Sequence, residues 1–297
     1  MNITVVGSTN IDLVYTVPHI VKAGETLHST EHKLFFGGKG ANQAVTASQL
    51  GANVEFIGNV GADDFGEQIK QNLQDKGVKT TAVQEIGLTG QAIIQVADSG
   101  ENSIVLFPGA NFLVTREQIY EAKDRIEASD VLLLQLEIPI PVVEVAAEIA
   151  SQKGVHIILN PAPAQQINEK LLSKISILTP NETELAILTG LKTNTEEDLF
   201  QACSLLIQKG VGSIVVTLGE KGSYYMNSTD HGYVHANQVE VKDTTGAGDA
   251  FNGALAVGLR QGNSLRESIL YASKIAGFVV TQMGAQPAIP HSFRVNK

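Results

Sequence analysis

Short apolar runs recur along the chain, each closed by a glycine, a proline or a polar cluster. Residues 3–7 (Ile-Thr-Val-Val-Gly) read as a brief buried strand. The stretches 130–136, 155–159, 175–178 and 214–217 read the same way, and Val131-Leu132-Leu133-Leu134 is apolar enough to be covered on both faces. Residues 53–60 look extended. Between these runs, apolar positions at helical spacing predict helices over 63–76, 115–128 and 140–152, and one from 179–184 to about residue 189. Thr115-Arg116-Glu117-Gln118 and Ser264-Leu265-Arg266-Glu267 have the capping-box form of a helix start. Strand and helix patterns in alternation predict a parallel sheet covered by helices. Two segments break the rhythm: 25–36 is extended, and 90–97 with 102–107 forms a hairpin around Asp98-Ser99-Gly100-Glu101. They predict a small β appendage. Two short strands run to about residue 235, and Gly284-Ala285-Gln286-Pro287 ends the last helix.

The ends of the strands carry the chemistry. Ser8-Thr9-Asn10-Ile11-Asp12 follows the first strand, and Glu137 the strand before Pro139. Asn160-Pro161-Ala162-Pro163, Thr179-Pro180-Asn181-Glu182-Thr183-Glu184 and Leu218-Gly219-Glu220-Lys221-Gly222 end the next three. Polar or glycine-rich tips on successive buried strands predict one crevice at their C-terminal ends, where open α/β sheets bind ligands. Taken alone, Asn10 and Asp12 would also suit a simple turn.

Two loops promise an anion site. Gly37-Gly38-Lys39-Gly40-Ala41-Asn42-Gln43-Ala44 leads into an Ala-rich helix that stops near Gly51. It is not a Walker loop, and a flexible turn is the alternative reading. Asp243-Thr244-Thr245-Gly246-Ala247-Gly248-Asp249-Ala250-Phe251 leads into a helix of small and apolar residues. Free N–H groups and the positive end of a helix dipole favour a phosphate there. Asp249 is either a favourable charge in a first helical turn or the base of a phosphoryl transfer, with Asp243 and Thr245 supplying oxygen ligands nearby.

Composition narrows the partners. At 297 residues, 31.6 kDa and 43% hydrophobic content, the chain suits one large α/β domain. A net charge of −10 argues against a nucleic-acid or membrane-surface partner. Cys203 is the single cysteine, so no internal disulfide forms and a reducing compartment suits the chain. Residues 1–7 show no leader pattern and no apolar run reaches membrane-spanning length, so the expectation is a soluble, cytoplasmic protein. His28-Ser29-Thr30-Glu31-His32 matches a zinc-peptidase pattern that needs a helix. In an extended segment its histidines stand about 13 Å apart at roughly 3.3 Å per residue, which sets the metal reading aside. Gly7-Ser8-Thr9-Asn10 lacks the dinucleotide-binding G-x-G-x-x-G turn.

Together these residues resemble the ribokinase group of the PfkB-type sugar kinases, from Asn10 to Pro287. The resemblance rests on Asn10/Asp12, GGKGANQA at 37–44, LLLQLE at 132–137, NPAPA at 160–164, NETE at 181–184, TLGEKG at 217–222, DTTGAGDAF at 243–251 and GAQP at 284–287. It implies a Rossmann-like three-layer α/β body with a mostly parallel central sheet, and a β-sheet lid from segments about 11–36 and 90–108. One domain over 1–297 and a homodimer joined through the lids are implied as well. The implied reaction is transfer of the ATP γ-phosphoryl to the 5-hydroxyl of D-ribose. Deoxyribose, fructose or adenosine are alternative acceptors, and a non-catalytic sugar-binding regulator is the rival from another class. Asn10, Asp12, Gly38, Lys39, Asn42 and Glu137 are the implied sugar contacts, with Asp249 the base and Gly246, Ala247 and Gly248 the anion loop. Asn181, Thr217, Gly219, Gly222, Gly248 and Ser273 would hold ATP, and Glu184 Mg²⁺ through water. Asp243 and Thr245, with carbonyls near Val279, Gln282 and Gly284, would hold K⁺. Ala288 departs from the serine usual after GAQP, so that site loses a hydroxyl ligand.

Overall fold

The computed structural model describes residues 1–290; residues 291–297 of the expected single domain lie outside the described residues. In chain order come β1 (Asn2–Val6), β2 (Asn10–Val17), β3 (Glu31–Gly37), α1 (Lys39–Gln49), β4 (Asn53–Val60), α2 (Asp64–Asp75) and β5 (Val78–Glu85). Next are β6 (Gly90–Ala97), β7 (Asn102–Phe107), a 3₁₀ turn over Gly109–Leu113, α3 (Arg116–Glu121), α4 (Lys123–Glu127), β8 (Val131–Leu134), α5 (Ile140–Gln152) and β9 (His156–Leu159). The C-terminal part holds α6 (Glu169–Leu172), β10 (Ile177–Leu178), α7 (Glu182–Thr189), α8 (Glu196–Gln208), β11 (Ser213–Thr217), β12 (Ser223–Asn227) and β13 (His231–Val234). Helices α9 (Ala247–Arg260) and α10 (Leu265–Val279) complete it, followed by a 3₁₀ turn at Gln286–Ala288.

Alternate residues of the apolar runs point into two separate cores, which makes the body three-layered. Val5, Leu133, Ile158 and Val215 join a cluster with α1, α9 and α10. Val6, Leu132, Leu134, Ile157 and Val216 join another with α3, α5 and α8. The sheet order is β13-β12-β11-β10-β9-β8-β1-β4-β5, parallel from β5 to β11, with β12 and β13 antiparallel at one edge. Strands β1, β8, β9, β10 and β11 are therefore neighbours, and their polar tips line up along one rim.

A second sheet, β3-β2-β6-β7, sits apart from this body. Its central pair, β2 and β6, is parallel; the outer pairs are antiparallel. Several sequence expectations change here. Asn10 and Asp12 open an eight-residue strand rather than a turn, because their backbones pair with Gly37 and Phe35 of β3. Of the extended 25–36 segment only residues 31–36 are strand, in a strand that runs on to Gly37. The helix over 115–128 breaks at Ala122 into α3 and α4. Thr115 accepts the Gln118 N–H, but the Gln118 amide donates to the Gly58 and Ala82 carbonyls instead of returning to Thr115. Ser264 and Glu267 do form the full reciprocal box. His32 stacks on Tyr15 in the second sheet, and His28 precedes that strand. Cys203 is buried on α8 among apolar neighbours, which push its thiol up to about 12.

Candidate active site

Two helix starts meet at the centre of the rim. Gly246 precedes α9 with φ of +75°, and a Cβ there would lie 2.7 Å from the Ala285 Cβ, so glycine meets both constraints. This turn drops Asp249 into the first turn of α9, where it is 6% exposed. Gly38 precedes α1 with φ of +88°, and its Cβ would stand 2.6 Å from Thr9 Cα. The backbone of α1 thereby comes up against the β1–β2 connection, and Ala41 donates its N–H to the Ser8 carbonyl.

Both oxygens of Asp249 are met by amides from α1. Asn42 Nδ2 donates to one at 2.9 Å and Gln43 Nε2 to the other at 3.1 Å. Burial pushes the Asp249 carboxyl up and the Glu137 charge adds to this; Lys39 and the two amides oppose it, and the net direction is upward. A base of raised pKa stays buried yet basic. Of the anion-loop N–H groups, that of Ala247 is spent on the Thr244 carbonyl at 3.2 Å. Gly248 sits at the mouth, its carbonyl taken by Asn252 Nδ2.

Around this base stand Asp12, Glu137, Glu184 and the single ammonium of Lys39. Asp12 lies against Gly37, where any Cβ would come within 2.6 Å of its carboxylate. Burial, then the charges of Glu137 and Asp249, raise the Asp12 carboxyl to about 7, with Lys39 pulling the other way. Burial would lower the Lys39 ammonium, but Asp249, Glu137, Glu184 and Asp12 together hold it above its ordinary value. Glu137 accepts from the Ser8 hydroxyl at 2.6 Å and the Lys39 N–H at 3.1 Å. Asn10 accepts from Asn111 Nδ2 at 2.8 Å through its side-chain oxygen, so its own NH₂ is not used in that bond. Carboxylates, an amide and an ammonium converging on one space suit a molecule rich in hydroxyls.

A cleft of about 1120 Å³ opens beside Gly248, lined by Thr217, Gly219, Gly222, Ser273 and the loop residues Thr244 and Ala247. Its apolar walls are Val239, Val241, Phe251, Ala276 and Val280. Asn181 does not line it; its side chain caps α7 in a reciprocal box with Glu184, and its backbone bridges Thr217. Glu184 Oε2 accepts the Asn181 N–H, and burial raises its carboxyl on balance. Asp243 accepts the N–H groups of Thr245 and Gly284 at 2.9 and 2.8 Å. Burial opposes its charge, yet these bonds hold its carboxyl below its ordinary value. The Val280 carbonyl takes the N–H groups of Lys242 and Asp243, and that of Val279 takes the Gln282 N–H. Ala288 is buried in the apolar cluster beside Ile289.

Sequence reading overlooked the residues that hold these groups. Gln43, Gln135, Asn160 and Gln286 are buried amides inside the quoted motifs, and an amide within an apolar run is itself a signal, since burying one demands a partner. Ala92 and Leu106 share the cross-strand row of Asp12 and Phe35. The apolar cleft walls carried no signal, because a core residue and a ligand wall look alike in sequence.

A parallel α/β sheet with a separate β sheet, a buried carboxylate at a glycine-turn helix start and an adjoining cleft defines a phosphotransferase type of site. A family model described as pfkB family carbohydrate kinase matches residues 1–292. The ribokinase of Haemophilus influenzae is 43% identical over 290 residues, spanning 97% of this chain and 95% of its own. The deoxyribokinase of Salmonella typhi is 37% identical over 300 residues, spanning 100% and 98%. The structure of Arabidopsis thaliana ribokinase complexed with ribose and ATP is similar at a TM-score of 0.93 and 34% identity, covering 97% of this chain and 95% of that one. The chain belongs to the PfkB family of carbohydrate kinases.

Proposed function

We propose that this protein transfers the γ-phosphoryl group of ATP to the 5-hydroxyl of D-ribose, giving ribose 5-phosphate and ADP. The observation that carries the reading is Asp249, buried at the start of α9 near Lys39 and Glu137 and beside a cleft of nucleotide size. Its relatives include a ribokinase and a structure with ribose and ATP.

The sugar would be held by Asn10, Asp12, Gly38, Lys39, Asn42 and Glu137. Ionised Asp12 and Glu137 accept from sugar hydroxyls, while Lys39 and the Asn10 amide donate. Asp249 takes the proton of the primary hydroxyl as that oxygen attacks phosphorus. Gly246 and Gly248 turn their N–H groups to the charge that develops, in the positive field at the start of α9. Thr217, Gly219, Gly222 and Ser273 position the nucleotide, with Asn181 ordering the adjoining turn. Positioning and electrostatics supply most of the catalysis in such transfers.

Two cations belong to this reading. Glu184 has one carboxylate oxygen committed to Asn181 and the other available, which suits Mg²⁺ held mainly by phosphates and water. The ion would neutralise charge on the phosphates. The oxygens of Asp243, Thr245, Val279, Gln282 and Gly284 form a hard donor set fit for K⁺, although Asp243 shares its oxygens with two N–H groups and Ala288 supplies no hydroxyl. The four-stranded sheet acts as a lid over the sugar, and two copies pair through its outer face in the cytoplasm.

The deciding assay is ATP consumption across ribose, 2-deoxyribose, fructose and adenosine, with and without K⁺. Ribose is expected to support the highest kcat/KM and K⁺ to raise the rate. A higher kcat/KM with 2-deoxyribose, the substrate in the name of one relative, would reassign the acceptor. A rate indifferent to K⁺ at every concentration would remove the cation site.

A further inference from the structure

The amides that hold Asp249 are themselves held, and in a fixed polarity. An ionised carboxylate only accepts, so Asn42 and Gln43 must each turn their NH₂ toward it. That leaves the Asn42 carbonyl oxygen facing away, where it accepts from Gln286 Nε2 at 3.1 Å. The Gln286 carbonyl oxygen in turn accepts from Asn72 Nδ2 of α2 at 2.7 Å. Both Asn42 and Gln286 are buried, so neither can exchange these partners for bulk water. On the other side, the Gln43 side-chain carbonyl accepts from Gln135 Nε2 at 2.6 Å, and Gln135 Oε1 ends that branch buried, with no hydrogen-bond partner among the described residues. The two branches differ. One ends at an orphaned carbonyl in the core; the other runs through the turn that follows Gly284, whose N–H binds Asp243.

We propose that Gln286 is a positioning residue of the phosphoryl transfer: it locks the Asn42 amide so that an N–H, not a carbonyl, faces Asp249. The assignment rests on the reading of Asp249 as the base. Gln286 touches neither sugar nor nucleotide in that reading and acts through Asn42 alone. A reversed Asn42 would set its carbonyl dipole against the carboxylate and favour the protonated, inactive acid. The lock also ties the base to the segment 284–288, so movement at the Asp243 side reaches Asp249 through the Gly284–Asp243, Gln286–Asn42 and Asn42–Asp249 hydrogen bonds. The other charges facing Asp249 are Lys39 from α1, Asp12 from β2, Glu137 beyond β8 and Glu184 from α7, whereas the Gln286 side chain hydrogen-bonds Asn42 and Asn72.

The test uses two near-isosteric replacements and the dependence of kcat on pH. Gln286→Glu keeps the acceptor for Asn72 but cannot donate to Asn42, which must reverse. The acid limb of kcat is expected to move up by about one pH unit, with turnover recovering at high pH. Gln286→Met leaves Asn42 unlocked but not reversed, so its limb is expected to move by less than half as much. An equal loss at every pH in both variants would show a packing role and overturn the proposal. The direct effect of the charge that Gln286→Glu introduces is separated in an Asn42→Leu background: if Gln286→Glu moves the limb of Asn42→Leu as far as it moves the parent's, the shift is the charge's own and the proposal is overturned. Asp249→Asn distinguishes the two levels. If that variant keeps near-normal turnover, the base assignment fails and the lock with it. If it is inactive while the Gln286→Glu limb stays put, only the lock fails.

Discussion

Asp12 shows how a single residue here trades stability for binding. Its carboxyl, raised from 3.8 to about 7 by burial and by Glu137 and Asp249, keeps a proton that an unfolded chain would release between those values. Stability therefore falls as pH rises through that window, since the folded state binds more protons than the unfolded one. Asp12→Asn is expected to raise the melting temperature of the free protein at pH 8 by on the order of a few degrees, and to change it little near pH 4. Sugar binding runs the opposite way. Hydroxyls that donate to Asp12 select its ionised form, so ribose affinity should be level above about pH 7 and fall about tenfold per unit below it. Calorimetry should show proton release on binding at pH 7, lost in Asp12→Asn; a pH-independent affinity in the parent would contradict this role. That Lys39, Asn42 and Asp249 gather in one place was readable because they and the glycines beside them lie in compact local motifs. Asn111 and Gln135 were not, since their work consists of contacts with residues far along the chain, as between Asn111 and Asn10.

At the scale of elements, the site depends on how closely α1 approaches α9. Gly253 on α9 allows it: a Cβ there would meet the Gln43 backbone carbonyl oxygen and the Thr46 Cβ, each at 2.7 Å. Gln43 is one of the two amides on Asp249, so the same contact sets helix spacing and base geometry. Gly253→Ala should cost about 1–3 kcal/mol in stability, read by denaturant unfolding. It should lower kcat more than it changes nucleotide affinity; unchanged unfolding and turnover would show that α1 has room to move. Strands β1, β4, β8, β9, β10 and β11 of the body were legible from their apolar runs, and α2 and α5 from helical spacing. β2 was not, because Asn10 and Asp12 look like turn formers until Gly37 and Phe35 pair with them. β5 also escaped, its alternation of buried Val78 and Thr80 with exposed Lys79 and Thr81 being the signal. Ala122 carries no breaker chemistry that would mark the gap between α3 and α4.

For the whole molecule, the exposed surface of the second sheet sets the expectation. On the face opposite Asp12, Leu34, Ile93 and Val105 are exposed in one cross-strand row, Val105 at 61%, while Leu13 of the same row packs against the core of the body. A row of apolar side chains on an open sheet is costly in water and suits a self-complementary contact. Pairing of two copies there should give a dimer in sedimentation, and Val105→Lys should shift it toward monomer without unfolding the body. A parent that sediments as a monomer at micromolar concentration would contradict the paired lid. No helix among the described residues is long and apolar enough to cross a membrane.

In the proposed reaction Asp249 is the group that removes the proton from the sugar. Its most direct test compares kcat with ribose affinity in Asp249→Asn, a replacement of nearly the same shape that cannot serve as a base. Turnover is expected to fall by about 10²–10⁴-fold, the usual contribution of a general base, while ribose binding by calorimetry stays within a few fold of the parent. Turnover close to the parent, with ribose bound normally, would contradict the account.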